Sequence, residues 1–180
     1  MKNSISILFA AILFICLFVS CKKDDDQSNY LRCDKDRSDL VNGSLIKLGL
    51  EPNIEGCLYY LHLCSSGVTV DNYGYFSGSG SVFGAYFVSP SLIGVETGNY
   101  NLDETNPKAF FTYNNATAIM DWSSGAMIQA SFLTSGVIRV KKIKSNVYEF
   151  VIEGENSFGE KVSGYFKGEL LYLPVAPIAK

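Results

Sequence analysis

The chain contains one histidine, which limits the catalytic and metal-binding chemistry that its side chains can supply. His62 lies in the run LYYLHLC, and an extended run would place it on one face with Leu58, Tyr60 and Cys64. A lone histidine without a nearby carboxylate can build neither a catalytic triad nor a metal cage. We therefore expect a structural role for His62, and we predict no metal site, no cofactor and no catalytic residue.

A glycosidase would need two carboxyl groups across a cleft, and the sequence offers two weak pairs. Glu153 and Glu155 are two residues apart on a predicted strand, a separation of about 7 Å that falls within the roughly 6.5–9.5 Å of inverting enzymes. They fit the solvent face of that strand better, because nothing nearby would raise the pKa of one carboxyl above the other. Asp103 and Glu104 fit a loop. The sequence therefore does not predict an enzyme.

Aromatic residues are the enriched chemical class, at 13% of the chain. Exposed rings on a rigid β-scaffold can stack on sugar faces, and binding sites often lie on loops. Core packing is the alternative, since aromatic side chains favour strands and bury large areas. Both interpretations stay open for a candidate ligand-binding set in and near a glycine-rich stretch: Tyr73, Tyr75, Phe76 and Trp122.

Three of the five cysteines remain after the first 21 residues, so at most one intramolecular disulfide can form. Cys57 and Cys64 are seven apart in an extended run, which directs their side chains to opposite faces and argues against that pair. A bridge from Cys33 to Cys57 or to Cys64 stays open. No spacing fits a zinc site.

From residue 43 onward, short apolar runs of period two are separated by glycine- and asparagine-rich turns, for example at Asn114-Asn115. No stretch shows helical spacing over 12 residues. The predicted strands are 44–50, 56–64, 67–70, 81–88, 98–102, 108–113, 116–122, 126–133, 136–144, 147–153 and 161–172, with a bulge near Lys141-Lys142. The pattern predicts an all-β fold, a single antiparallel β-sandwich or, as the alternative, a flattened up-and-down β-barrel.

The first 20 residues hold the excess apolar character of the chain. The run from Ile5 to Val19 is broken only by Ser6 and is shorter than the roughly 20 residues that span a bilayer, so it fits the core of a signal peptide. It ends at Ser20-Cys21, which resembles a bacterial lipobox although Phe18 stands where leucine is usual. The resemblance implies a lipoprotein signal peptide over 1–20 and lipidation of Cys21. An ordinary signal peptide with a chance cysteine is the alternative.

The segment after Cys21 is dense in charge, since residues 22–39 carry eleven charged side chains. Such a segment cannot bury a core. We therefore assign residues 21–39 to the lipidated cysteine and a charged flexible tether, and residues 40–180 to the β domain. The run KKDDD beside the cysteine resembles the export signal of Bacteroidota surface lipoproteins. It implies an outer-membrane protein, held through its lipid anchor and facing the cell exterior.

The domain also resembles small Bacteroidota surface lipoproteins over about residues 78–173. The segment 78–102 resembles theirs in its glycine-led strand and in the strand start Gly98-Asn99-Tyr100. The segments 135–140, 148–150 and 159–170 are similar to their three-strand ending. The resemblance implies an all-β fold and a surface location. It brings no catalytic residues, because the group's functions are mostly unassigned.

Charge excludes one class of partner. Without Lys2 of the leader, 14 basic side chains stand against 18 acidic ones, a net charge of −4 with no basic stripe, which argues against nucleic acid. We predict a membrane-anchored, non-catalytic module that binds a glycan or another extracellular ligand. The alternative is a structural or accessory subunit whose partner is an outer-membrane protein.

Overall fold

The structure is a computed structural model that describes residues 28–50, 56–71, 74–104, 109–124 and 131–173. These residues form strands and no helix, which confirms the all-β prediction, and no helix among them is long and apolar enough to cross a membrane. The strands are β1 (Tyr30–Cys33), β2 (Asp36–Asp39), β3 (Asn42–Gly49), β4 (Cys57–Cys64), β5 (Val68–Val70), β6 (Phe76–Ser89), β7 (Gly98–Leu102), β8 (Thr112–Ser123), β9 (Leu133–Lys142), β10 (Val147–Asn156), β11 (Lys161–Glu169) and β12 (Leu171–Leu173).

The strands form one strongly curled sheet in the order β12-β3-β4-β6-β8-β7-β9-β10-β11-β1-β2, and β5 pairs with the first part of β6. Most neighbours are antiparallel, but β7–β8 and β12–β3 are parallel, so the sheet is mixed rather than purely antiparallel. Only Leu170 separates β11 from β12, yet these strands lie near opposite ends of the sheet order. The sheet must therefore curl until those ends approach each other.

The inner face of the curl carries the main core. Period-two alternation places Tyr148, Phe150 and Ile152 of β10 on this face, all fully buried, as the sequence predicts. Phe87 from β6 lies at the centre, with ring centroids 5.0 Å from Tyr100 and 6.2 Å from Phe150. Because these rings come from strands far apart in sequence, the core links distant parts of the chain.

The charged segment before residue 40 belongs to the sheet, which corrects the prediction that residues up to 39 form a flexible tether. β1 pairs with β11 and with β2, and Leu31 and Cys33 are buried. Arg32 between them and the charged side chains of 34–39 are exposed, so the charge run is the solvated side of a hairpin at the sheet edge. Cys21, the signal peptide and residues 22–27 lie outside the described residues.

Two predicted irregularities are wrong in position. Asn114-Asn115 is not a turn but lies inside β8, where Asn115 has a φ of 46° beside a register shift against β6. Asparagine tolerates this left-handed conformation, so a bulge absorbs the residue and the strand continues. Lys141 and Lys142 pair regularly with Glu149 and Tyr148, whereas the β9–β10 bulge lies at Glu155/Asn156. Part of the predicted strand 126–133 lies outside the described residues.

The three described cysteines are buried free thiols, so neither disulfide left open by the sequence forms. Cys57 belongs to the inner core and Cys64 to a separate cluster with Val68 and Val82. The two side chains therefore lie on opposite faces of β4, as their spacing predicts.

A short hairpin, formed by β5 and the first part of β6, folds back over the outer face of the sheet. Gly78 and Gly80 have φ values of 96° and 146°, which glycine adopts without strain and which let β6 change direction there. The returning loop lies on β3 and β4, since Gly74 sits beside the side chains of Ile46 and His62. This hairpin covers His62, which is fully buried.

Candidate functional site

His62 is the centre of an aromatic cluster on the outer face of the sheet. Leu61 and Leu63 point into the core, so the alternation of β4 turns His62 outward, where the hairpin buries it completely. Its ring centroid lies 4.0 Å from that of Tyr60 and 4.9 Å from that of Phe76, both in edge-on contacts. The imidazole of His62 is therefore packed between two aromatic rings, which fits the structural role that we expect for it.

The two nitrogens of His62 have different surroundings. Nδ1 lies 3.3 Å from the hydroxyl oxygen of Ser44, on the neighbouring strand β3. Nε2 is buried and has no hydrogen-bond partner among the described residues. Burial lowers the pKa of His62 from 6.5 to about 4, so the ring is neutral at pH 7.

The serine–histidine contact does not form a catalytic triad. No group of three His, Cys, Asp or Glu side chains in the described part of the chain could hold a metal ion, and no carboxylate bonds His62 there. A triad histidine needs such a carboxylate to orient it and to stabilise its charged form. The Ser44–His62 pair is better suited to joining β3 to β4 beneath the hairpin.

Two tyrosines extend the cluster along the sheet. Tyr60 of β4 stacks on Tyr86 of β6, with ring centroids 4.2 Å apart and ring planes only 4° from parallel. Burial raises the pKa of Tyr60 to about 12, with smaller contributions from Tyr86 and Cys64, so its phenol stays protonated. The stack adds packing area but no acid or base that would work near neutral pH.

The structure brings part of the predicted aromatic set together. Phe76 and Trp122 are half-buried and pack edge to face, with ring centroids 5.8 Å apart. Tyr75 is 72% exposed beside them, while Tyr73 lies outside the described residues. Phe76 and Trp122 therefore serve mainly to hold the hairpin down, and Tyr75 offers a ring to solvent.

A cleft of about 580 Å³ opens beside the hairpin, on the outer face of β12, β3 and β4. Its apolar lining includes Val41, Val68, Val70 and Leu171, and its polar lining includes Asn42, Thr69, Asn146 and Glu169. Ser44 and Cys64 also contribute, so the cleft begins where the aromatic cluster ends. Its volume falls within the range of small-ligand sites, which is roughly 300–1,000 Å³.

Two polar side chains that line the cleft, Asn146 and Thr69, form side-chain hydrogen bonds. Asn146, in the turn between β9 and β10, donates a hydrogen bond from Nδ2 to Glu169 Oε1. Across the cleft, Thr69 Oγ1 lies 2.7 Å from Ser77 Oγ. Burial raises the pKa of the Cys64 thiol to about 12, which makes it a poor nucleophile. The cleft therefore offers apolar contact and hydrogen bonds rather than a reactive group.

One carboxylate of each pair considered from the sequence is engaged in another contact. Glu153 Oε1 lies 2.7 Å from Arg139 Nη2, and the hydrogen bonds from that guanidinium lower the pKa of Glu153. A general acid would need the opposite shift. Glu104 accepts a hydrogen bond from the backbone of Asn115 at 2.9 Å.

Sequence reasoning missed the cleft, because its walls come from strands far apart in the chain. Leu171 lies beside Ser44 only through the parallel β12–β3 pairing, and Val68 reaches the same place through the hairpin. No local pattern marks such long-range neighbours. The one weak signal of the cleft is Leu171. This residue is apolar but exposed, in a run where alternation should bury only every second residue.

Comparisons with protein-family models, curated proteins and solved structures give no match to this chain. The candidate site is therefore defined by its own residues. It consists of the cleft, its Asn146–Glu169 end, and the exposed ring of Tyr75 on the neighbouring hairpin.

Proposed function

We propose that this protein is a lipid-anchored protein of the bacterial outer surface whose β domain binds an extracellular ligand without transforming it. The observation that supports ligand binding most directly is the cleft on the outer face of β12, β3 and β4. It combines apolar walls with a few hydrogen-bonding groups, the usual composition of a small-ligand site.

A glycan is the ligand class that this composition suits best. Sugars present both apolar ring faces and hydroxyl groups, so they need flat apolar contacts and nearby amide or carboxylate partners. Tyr172 lines the cleft and Tyr75 lies exposed on the adjacent hairpin. Asn42, Asn146 and Glu169 supply hydrogen-bonding groups along the cleft.

A non-catalytic role fits the ionisation of the described side chains. His62 is neutral and shielded, the Cys64 thiol is protonated, and Glu153 is held by Arg139. None of these groups is poised for proton transfer or nucleophilic attack near neutral pH.

Ligand binding can be tested with the unlipidated chain from Lys22 onward, which keeps every described residue. A glycan array followed by calorimetry should identify a bound glycan, and Leu171→Trp should weaken its binding at least about tenfold by filling the cleft. Leu50→Trp is the matched control, because Leu50 is similarly exposed but does not line the cleft. The hypothesis fails if no glycan binds, or if both variants bind as well as the wild type.

The lipid anchor is tested separately in cells. Radioactive palmitate should label the protein, and Cys21→Ala should abolish the label and release the protein from the membrane. Proteinase added to intact cells should digest the wild-type domain, as expected for an outward-facing protein. A Cys21→Ala variant that stays labelled and membrane-bound would refute the anchor.

The alternative is an accessory subunit of an outer-membrane assembly. It is favoured by the exposed apolar side chains of Val41 and Leu171 at the rim of the cleft, which a partner protein would cover. Crosslinking intact cells should then trap a partner in the wild type but not in Leu171→Arg. Recovery of the free monomer after crosslinking would exclude this role.

A further inference from the structure

The described chain enters the sheet at the same end at which β9 finishes. The backbone N–H of Lys167 donates to Asn29 Oδ1 at 2.7 Å, and Asn29 Nδ2 donates to the Lys167 carbonyl at 3.3 Å. The next residue along β11, Gly168, pairs with Tyr148, which in turn pairs with Lys142. With strands about 4.8 Å apart, Asn29 lies roughly 15 Å from Lys142.

An exposed apolar loop lies at this end. Ile93 is 79% exposed and Leu92 is 51% exposed in the connection between β6 and β7, and Ile143 is exposed just after β9. Lys47 Nζ donates to the Leu92 carbonyl at 2.7 Å, and Lys142 Nζ donates to the Ile93 carbonyl at 3.0 Å. We call Leu92, Ile93, Ile143, Lys47 and Lys142 the tip.

Both lysine ammonium groups bond to carbonyl groups of the loop rather than to carboxylates. Within the described part of the chain, no carboxylate lies within salt-bridge distance of either ammonium group. Glu169, the acidic side chain nearest along β11, accepts a hydrogen bond from Asn146 instead. Aliphatic side chains flanked by unneutralised lysines match the interface of an anionic membrane, where apolar groups insert and ammonium groups meet phosphates.

The length of chain between the lipid anchor and the sheet limits the distance between the domain and the bilayer. Only seven residue steps separate Cys21 from Ser28, which allow at most about 25 Å when extended and roughly 15 Å as a coil. A lipid on Cys21 would therefore keep this end of the sheet close to the bilayer. The shorter connection follows from the finding that β1 belongs to the sheet.

We infer that the tip docks on an anionic lipid surface, with Leu92, Ile93 and Ile143 among the headgroups and Lys47 and Lys142 against the phosphates. The orientation rests on the proposed lipid anchor at Cys21. Docking at this end leaves the opposite end, with the β10–β11 turn at Phe158, facing away from the membrane.

The docking can be tested with an anchor that does not depend on lipidation in the cell. The chain from Cys21 onward is coupled through that thiol to maleimide-bearing lipid, while the other cysteines are buried. The vesicles contain brominated phosphatidylcholine with about 30% phosphatidylglycerol. All variants keep Trp122, so the wild type, which has only this tryptophan, is the reference. We expect bromine to quench the emission of Ile93→Trp about twofold relative to this reference. Phe158→Trp is the control and should not be quenched; Phe158 is 50% exposed in the wild type.

Two further comparisons test whether docking needs the two lysines and the anionic lipid. Adding Lys47→Gln and Lys142→Gln to Ile93→Trp should remove most of the quenching, and vesicles of pure phosphatidylcholine should give less. Equal emission from Ile93→Trp and Phe158→Trp, or equal quenching on neutral vesicles, would overturn the inference. A wild-type protein that takes up no palmitate in cells would refute the lipid anchor without changing these vesicle results, so the two failures are distinguishable.

Discussion

The two faces of the sheet carry aromatic clusters that are built in different ways. On the inner face, Phe87 packs against Tyr100 and Phe150, and the curled sheet encloses all three. On the outer face, His62 packs against Tyr60 and Phe76 and is covered by one short hairpin. The inner cluster depends on the whole sheet, whereas the outer cluster depends on one local element, which we expect to open more easily than the sheet.

The two clusters also differ in the hydrogen bonds of one buried polar side chain in each. In the inner cluster, the hydroxyl of Tyr59 accepts a hydrogen bond from the Gly94 backbone at 2.8 Å and donates one to the Ser91 carbonyl at 3.0 Å. In the outer cluster, His62 Nε2 is buried without a partner among the described residues. The Tyr113 hydroxyl of the inner cluster also lacks a partner among the described residues, but only His62 changes its protonation in mild acid. The outer face should therefore be the more sensitive to pH.

The largest effect should come from the inner face. Phe87→Ala should lower the free energy of unfolding by about 4 kcal/mol, because it leaves a cavity among fully buried rings. Urea denaturation of the chain from Lys22 measures this change. Phe158→Ala is the control, and its half-exposed side chain should contribute less than about 0.5 kcal/mol. Similar losses in both variants would contradict the assignment of the core.

Acid should weaken the outer face through His62. Well above pH 6.5 the imidazole is neutral in the folded and the unfolded chain, so its titration does not change stability with pH there. As the pH falls from 6.5 to about 4, the unfolded chain takes up a proton that the folded chain excludes, which removes about 3 kcal/mol of stability. Below that pH both states are protonated and the loss levels off.

His62→Leu isolates the contribution of the imidazole to this acid sensitivity. Urea denaturation at several pH values should show a smaller loss between pH 6.5 and 4 in the variant than in the wild type, since acidic side chains titrate in both. An identical pH dependence in the two proteins would show that His62 is not shielded in the folded state.

Removing the ring that holds the hairpin should have a smaller, local effect. Phe76→Ala should lower the free energy of unfolding by about 2 kcal/mol, because the ring is only half-buried between His62 and Trp122. Hydrogen exchange should speed up at the backbone amides of β5 and the first part of β6, and stay unchanged in β10. Faster exchange throughout the sheet would mean that the hairpin is not a separate unit.

The smallest effects should come from removing single tyrosine hydroxyls in the inner cluster. They should distinguish a hydroxyl that has hydrogen-bond partners from one that has none among the described residues. Tyr59→Phe should lower the free energy of unfolding by about 1 kcal/mol, because the backbone groups of Ser91 and Gly94 would lose their partner. Tyr113→Phe should leave stability within about 0.5 kcal/mol, since its buried hydroxyl has no partner in the described part of the chain. Thermal denaturation of the two variants side by side tests this, and equal losses would contradict the contrast.

Much of the local structure could be predicted because it depends on neighbours in sequence. The strands at 98–102 and 147–153 and the all-β fold follow from alternation and turn residues. The hairpin of β1 and β2 was missed because its many charges obscure Leu31 and Cys33, the two positions that are buried. Of the candidate ligand-binding set, the pattern could mark aromatic residues but could not separate Phe76, which packs, from Tyr75, which is exposed.

The amino-acid sequence by itself determines which residues are extended and which side chains share a face, as for His62 and Cys64 on one side of β4 and Cys57 on the other. Only the tertiary structure decides that β12 joins β3, that the hairpin returns over His62, and that the cleft opens between them. The physical reason is that alternation acts between adjacent residues, whereas the curl of the sheet is set by pairings between strands far apart in the chain.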